Sequence, residues 1–265
     1  LGSQYIGNTF PYLAGATTLS LKSELELHGE WLFRRRSYLP LVAVPILFAV
    51  LANMVWPFGS LEFHETWEFI CLAISFLGLG VRIITVGFVP EGTSGRNTKG
   101  QVATVLNTTD IYSTIRHPLY LGNYLIGLGA VLVPFEWWLP LLYTTAYYLY
   151  YERIMFAEEA FLQRKFGEQF DQWASRTPAF IPRFSQWTAA TRGFSWRTVL
   201  RREYTGLFMV ILLHTSIEVI EHWFIEDRLT LEAEWSLLFA AGGIIYLVLR
   251  MLKKHTQILY WDEAY

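Results

Sequence analysis

Two short stretches of this chain bring together residue types that do chemistry. The first, Asp110 to Tyr124, reads DIYSTIRHPLYLGNY. Pro118 suits the first turn of a helix, where its missing N–H costs nothing. A helix is therefore expected to start at Pro118, with His117 near the N-cap. Free N–H groups and the positive dipole end favour anions there, and Arg116 adds a full charge. An amino-acid carboxylate would fit. Tyr112, Tyr120 and Tyr124 flank the same point, and aromatic faces attract a sulfonium or ammonium by about 0.5–2 kcal/mol. The plainer alternative is an Arg–His–Tyr belt that anchors a helix at a membrane interface.

The second stretch, Tyr151 to Ser175, reads YERIMFAEEAFLQRKFGEQFDQWAS. Ile154, Phe161, Leu162, Phe166, Phe170 and Trp173 recur at roughly helical spacing, with a break at Gly167. This predicts an amphipathic helix lying on the membrane or on a helical bundle. Glu158 and Glu159 sit side by side on it. Neighbouring helical residues point about 100° apart, so the two carboxylates are expected to have different tasks. The alternative is a solvated acidic pair.

A third group is His214, Glu218, Glu221 and His222, spaced to share one helix face. They fall in an apolar run, and ionisable groups inside a membrane are functional suspects. Such a face could bind a metal or relay protons. It points away from the first two motifs, however. A buried or snorkelling polar face is the reading adopted from sequence, and no metal is assigned.

The elements that position these residues are apolar. Of 265 residues, 53% are hydrophobic and 17% charged, against about a quarter charged in soluble domains. The net charge of −2 gives no argument for nucleic acid. Cys71, alone, can form neither an internal disulfide nor a CxxC motif. Eleven tryptophans and fifteen tyrosines suit bilayer interfaces. Leu1 to Ser20 carries no charge and many turn formers, and without a basic start it does not read as a signal peptide.

A spanning helix needs about 20 apolar residues. Leu39–Pro57, Trp67–Val89, Leu119–Val133, Trp137–Tyr151, Tyr204–Phe224 and Trp235–Leu252 are the candidates. The third and fourth form a tight hairpin about Pro134-Phe135-Glu136. Basic residues test the topology, because cytoplasmic loops hold their excess. Arg34 to Arg36, Arg96, Lys99, Arg116, and the run from Arg153 to Arg202 fall on one side, as do Arg250, Lys253 and Lys254. Glu62, Glu65, Glu136, Glu226, Asp227, Glu232 and Glu234 fall on the other, with Arg228. The expectation is an all-α polytopic membrane protein with about six transmembrane helices, a cytoplasmic amphipathic helix and both termini inside. Its membrane would be the bacterial inner membrane or the endoplasmic reticulum. Residues 1–38 form an N-terminal cytoplasmic segment and 39–89 the first two spans. Residues 90–184 hold the site, and 185–265 a linker with the last two spans.

Taken together, RHPLY at Arg116–Tyr120, Glu158-Glu159, Phe166-Gly167 with Phe170 and Trp173, then Pro178 and Phe180-Ile181-Pro182, resemble one family. It is the isoprenylcysteine carboxyl methyltransferase and phospholipid methyltransferase family, and the likeness covers Thr93 to Arg183. The resemblance implies S-adenosylmethionine as cofactor and a lipid or lipid-attached acceptor in the bilayer. It implies cofactor contacts at His117, Pro118, Leu119 and Tyr120, at Tyr112, and at Glu158. It also implies them in a strand-like lead-in at Thr104, Val105, Leu106 and Asn107. Arg153 would be a substrate-side arginine, with Arg116 and Glu159 beside the reacting groups, and Thr93 to Asn97 would close the pocket. A carboxylate or phosphate oxygen needs no general base, whereas an amine does. The motifs offer Glu159 or His117 as bases and neither is compelling, which tilts the reading to O-methylation over an amine or thiol acceptor. A soluble-type Gly-rich cofactor loop is missing, and Gly78 and Gly80 read as helix-packing residues. The reading from a different class is a non-catalytic transporter or sensor built on the same fold.

Overall fold

The computed structural model describes residues 20–89, 101–190 and 192–260. The loop Thr93–Asn97 expected to close the pocket lies outside them. Helix α1 (Leu21–Arg35) starts where Ser20 Oγ accepts a hydrogen bond from the Ser23 N–H. A 3-10 turn at Leu39–Val42 leads into α2 (Ala43–Leu51). At 1.5 Å per residue, α2 is only about 14 Å long, half of a bilayer core. The continuous span expected at Leu39–Pro57 is therefore not formed. The chain leaves the helix after Leu51 and turns at Pro57–Gly59.

Helix α3 (Leu61–Phe88) is capped by Ser60. After the one-turn α4 (Ile111–Thr114) come α5 (Pro118–Leu132) and α6 (Trp138–Phe166), the expected hairpin. Helix α6 does not stop at Tyr151, where the fourth span is expected to end. It continues as one rod from its apolar half through Glu158 and Glu159, and ends at Gly167, whose φ of 52° excludes most side chains. A short α7 (Glu168–Ala174) follows, then α8 (Trp196–Glu226) and α9 (Ala233–His255).

Among the described residues three helices, α3, α8 and α9, are long and apolar enough to cross a membrane. The six-crossing count is not reached by that measure: α5 is only 15 residues long, and the second half of α6 is charged. In α9 only 17% of the most apolar window is buried, leaving Leu237, Ile244 and Leu247 exposed. Such a face is unfavourable in water and suited to hydrocarbon. Among the described residues the architecture is all-helical, and its one β-bridge is the isolated pair Asp110–Thr188. The lead-in at Thr104–Asn107 is irregular chain and not a strand.

Helices α3 and α5 cross at small residues. A Cβ on Gly78 would stand 2.5 Å from the Gly122 carbonyl oxygen and 2.8 Å from the Ile126 nitrogen. Both are backbone atoms that cannot swing away. Gly80 has nothing within 4 Å, so only one of the two glycines read as packing residues packs. We expect Gly78→Val to destabilise the protein by about 3 kcal/mol. Gly80→Ala should stabilise it by about 0.5–1 kcal/mol through helix propensity. Thermal unfolding in detergent distinguishes the two. Helix α1 meets α6 in the same manner, with Gly29 against the Arg153 carbonyl and Ala157. The arginine-rich N-terminal segment thus docks on α6 above the site.

Candidate functional site

Pro118 opens α5 with His117 at its N-cap, as the sequence requires. The segment before it is strapped in place by a stretch some sixty residues further on. Arg116 N–H donates to the Pro178 carbonyl at 2.9 Å, His117 N–H to Ala179 at 3.2 Å, and Arg183 N–H to Thr114 at 2.9 Å. Trp173 Nε1 donates to the Tyr112 carbonyl at 3.0 Å. These bonds give the backbone around His117 partners that its own short helix cannot supply.

The strap leaves the RHPLY side chains facing α6. Tyr120 donates its hydroxyl proton to Glu158 Oε2 at 2.9 Å. His117 Nε2 lies 2.9 Å from Glu159 Oε1, and His117 Nδ1 lies 3.6 Å from Glu158 Oε2. Arg116 Nε makes an ion-pair contact of 2.9 Å with Glu159 Oε1, while its Nη1 donates to the Ala174 carbonyl at 2.8 Å. The two neighbouring glutamates thus divide as their helical angle implies. Glu158 turns to Tyr120 and the cavity, and Glu159 neutralises Arg116 and His117 beside it.

The cavity is about 560 Å³, within the usual range of small-molecule sites. Its wall includes Val105, Leu106, Asn107, Tyr112, Arg116, His117, Pro118, Leu119, Tyr120 and Glu158. Thr104, Arg153 and Glu159 do not line it. Thr104 is exposed, and Arg153 folds back to donate to the Leu149 carbonyl of its own helix at 2.7 Å. Glu159 acts on the cavity through His117 and Arg116. Tyr124 also stands outside, stacked on Tyr143.

The wall contains polar residues that motif reading missed: Arg36, Arg82, Asn123, Arg202 and Glu203. Arg82 Nε and Nη2 donate to Glu203 Oε2 and Oε1 at 2.8 and 2.9 Å, and Nη1 donates to Asn123 Oδ1 at 2.6 Å. A signal for Arg82 was present, since a lone arginine in an apolar span marks a function. Arg36 and Arg202 were hidden within basic runs that topology alone accounts for. The amphipathic face of the Tyr151–Ser175 stretch packs on the site rather than on lipid. Phe161 and Leu162 line the cavity, while Phe170 and Trp173 bury against Leu106.

Burial opposes charge on His117, but hydrogen bonds and attraction from Glu158 and Glu159 outweigh it and hold the imidazole pKa above its usual 6.5. Burial likewise opposes ionisation of Glu158. His117, Tyr120 and Arg36 outweigh that and keep its pKa below the usual 4.5. Burial pushes the Tyr112 hydroxyl up, so it stays neutral. The Glu158 contribution to stability is present above pH 4.5 and lost as pH falls through its depressed value. The His117 contribution is present below pH 6.5 and lost as pH rises through its raised value. The pair therefore stabilises most between pH 4.5 and 6.5. In His117→Gln, the melting temperature should vary less with pH on the alkaline side of that window than in the parent. Melting curves from pH 4 to 9 check this.

Residues 70–169 match the family model described as phospholipid methyltransferase. The chain is 35% identical over 124 residues to the nickel-cobalt-cadmium resistance protein NccN of Alcaligenes xylosoxydans xylosoxydans, covering 46% of this chain and 57% of the relative. It is 33% identical over 173 residues to the cobalt-zinc-cadmium resistance protein CzcN of Cupriavidus metallidurans, covering 61% and 74%. It is 28% identical over 113 residues to the protein-S-isoprenylcysteine O-methyltransferase of Schizosaccharomyces pombe, covering 42% and 48%. The first and third of these relatives are thus spanned over only about half their length. No solved structure matches the chain.

Proposed function

The chain belongs to the phospholipid methyltransferase family of membrane proteins, and we propose that it methylates a lipid or lipid-attached acceptor with S-adenosylmethionine at the cytoplasmic membrane face. The observation that carries this is the cavity that RHPLY and Glu158 share, joined by the Tyr120–Glu158 hydrogen bond. Its donor set fits the cofactor. A carboxylate at Glu158 suits hydroxyl or ammonium donors, and Arg116 with His117 at a helix start suits a carboxylate. Tyr112, Tyr120 and Trp173 offer aromatic faces to a cation.

When bound, the cofactor supplies an electrophilic methyl group on a sulfonium. The chain's work is to position and to exclude water. Pro118, Leu119 and Leu106 make one side of the cavity apolar, so a charged acceptor oxygen entering it sheds water. Alignment of donor and acceptor can lower the barrier by about 7–11 kcal/mol. The wall carries Arg36, Arg82, Arg116 and Arg202 against Glu158 and Glu203, and this cationic excess favours an anionic acceptor, a carboxylate or a phosphate, over an amine. The bias of basic residues supports both termini inside, and on that topology the cavity opens at the inner leaflet.

The test is incubation of detergent-purified protein with methyl-labelled cofactor and total membrane lipids. Label should appear in a lipid fraction in step with S-adenosylhomocysteine. Failure of both, with the protein folded, ends the proposal.

A second reading comes from the names of two relatives, which are metal resistance proteins. On that reading the methylation serves tolerance of divalent metals. Expression in a metal-sensitive bacterium should then raise growth in cobalt or cadmium, and Glu158→Ala should abolish the gain. A gain that survives Glu158→Ala would belong to a non-catalytic role.

A further inference from the structure

At the ends of α3 and α8 remote from the cavity, a second set of ionisable side chains converges. Glu68 is fourteen residues from Arg82, about 21 Å along the helix. His64, Glu68, Glu218, Glu221 and His222 are each at most 6% exposed. His64 Nε2 lies 3.1 Å from Glu221 Oε1 and 3.8 Å from Glu68 Oε1. One ligand atom from each of His64, Glu68 and Glu221 lies within 4.8 Å of the others. Glu218, His222 and Glu232 form a second such triad. His222 Nε2 is 3.3 Å from Glu218 Oε1. The sequence groups His214 with these residues, but it stands apart, 2.9 Å from Ser75 Oγ and stacked over Trp235.

Independent of the clustering, the cluster holds polar atoms without partners. Glu221 is fully buried, and its Oε2 has no hydrogen-bond partner among the described residues. Neither has His64 Nδ1, and Glu218 Oε1 has only the 3.3 Å ion-pair contact with His222. Orphaned buried oxygens of this kind cost about 1–3 kcal/mol each, and more when charged. Among the described residues, the cationic partners of Glu68, Glu218 and Glu221 within ion-pair distance are the two imidazoles. Three glutamates therefore face two histidines in an apolar setting. Trp56 covers both imidazoles, at 4.8 and 5.7 Å between ring centres, and packs on Leu51 and Met54. Carboxylates buried together either take up protons or gain a counter-charge, and a dication would supply one where the ligand atoms of His64, Glu68 and Glu221 lie within 4.8 Å of one another.

We propose that His64, Glu68 and Glu221 bind a divalent transition-metal cation, with Glu218 and His222 as adjoining donors. Imidazole nitrogen combined with carboxylate oxygen suits zinc, cobalt or nickel. Calcium and magnesium prefer all-oxygen sites, and thiolate-seeking copper(I) finds no sulfur among these donors. The site lies about four helical turns along α3 from Arg82 on the wall of the methyl-transfer cavity, and stands whether or not that reading holds.

The test uses the full chain in detergent, stripped with chelator and titrated with cobalt(II). Visible ligand-field bands should grow to saturation at about one ion per chain and be displaced by zinc. Metal analysis after desalting should give the same stoichiometry. His64→Gln/Glu221→Gln should weaken binding at least about 100-fold, beyond the losses typical of outer-shell changes. His214→Gln should leave it unchanged. If the double variant does not fold, Glu68→Gln serves as the same test, with gel filtration as the check on folding. A parent protein that takes up neither cobalt nor zinc overturns the proposal. So does a folded ligand variant that binds within threefold of the parent.

Discussion

Glu158→Ala should weaken S-adenosylmethionine binding by at least about 100-fold, by far the largest effect of any single change in the cavity. The carboxylate accepts the Tyr120 hydroxyl and balances His117. Removing one partner of a buried charged pair costs about 2–5 kcal/mol, much of it from the group left behind. Here two groups are left: a hydroxyl without its acceptor, and an imidazolium with only Glu159 as counter-charge. Two further variants separate charge from hydrogen bonding. Glu158→Gln keeps an acceptor for Tyr120 but gives up the charge, and should fall between parent and alanine. Tyr120→Phe loses one hydrogen bond and should cost about 1 kcal/mol, roughly fivefold. Isothermal titration with each variant, and a melting curve to show that it is folded, decides the matter. A change under threefold for Glu158→Ala would remove Glu158 from the cofactor site.

The second large effect concerns folding. Glu203→Ala should destabilise the protein by about 3–5 kcal/mol, because it strands Arg82 with its charge uncompensated. The pair is bidentate, Glu203 is buried, and Asn123 takes the remaining guanidinium edge. Three helices, α3, α5 and α8, meet at that one guanidinium. The double variant Arg82→Met/Glu203→Leu should recover most of the loss, since a well-packed apolar pair often matches a buried ion pair. It should not recover methyl transfer, because both side chains line the cavity and Arg82 is one of its cations. Chemical denaturation in detergent, set against activity in the same preparations, reads the two effects apart. An Arg82→Met/Glu203→Leu protein as unstable as Glu203→Ala would mean that the site needs the ions for its shape.

Much of this molecule is legible in one dimension. Pro118 after His117 marks a helix start whatever surrounds it, and Pro134-Phe135-Glu136 marks a hairpin between two apolar runs. Both stand where expected, α5 from Pro118 and α6 from Trp138. Adjacent glutamates on one helix must diverge, and they do, towards Tyr120 and towards Arg116. Apolar run length was less dependable. The run Leu39–Pro57 matches a span in composition, yet it forms a 3-10 turn, a nine-residue helix and a reversal. Hydropathy records what a segment tolerates around it, not where its backbone hydrogen bonds end.

The sequence by itself determined the all-helical class, the start of α5 and the two motifs, because period, capping and hydropathy act over a few residues. It could not pair groups that lie far apart along the chain. His64 and Glu221 are 157 positions apart, Arg82 and Glu203 are 121 apart, and each pair meets only because α3 packs against α8. Gly78 and Gly80 look alike in sequence, and only the crossing with α5 tells them apart. Which of several similar residues faces a neighbour depends on the rotation of one helix against another. That rotation is fixed by the whole interface, through short-range repulsion and the need of every buried charge for a partner.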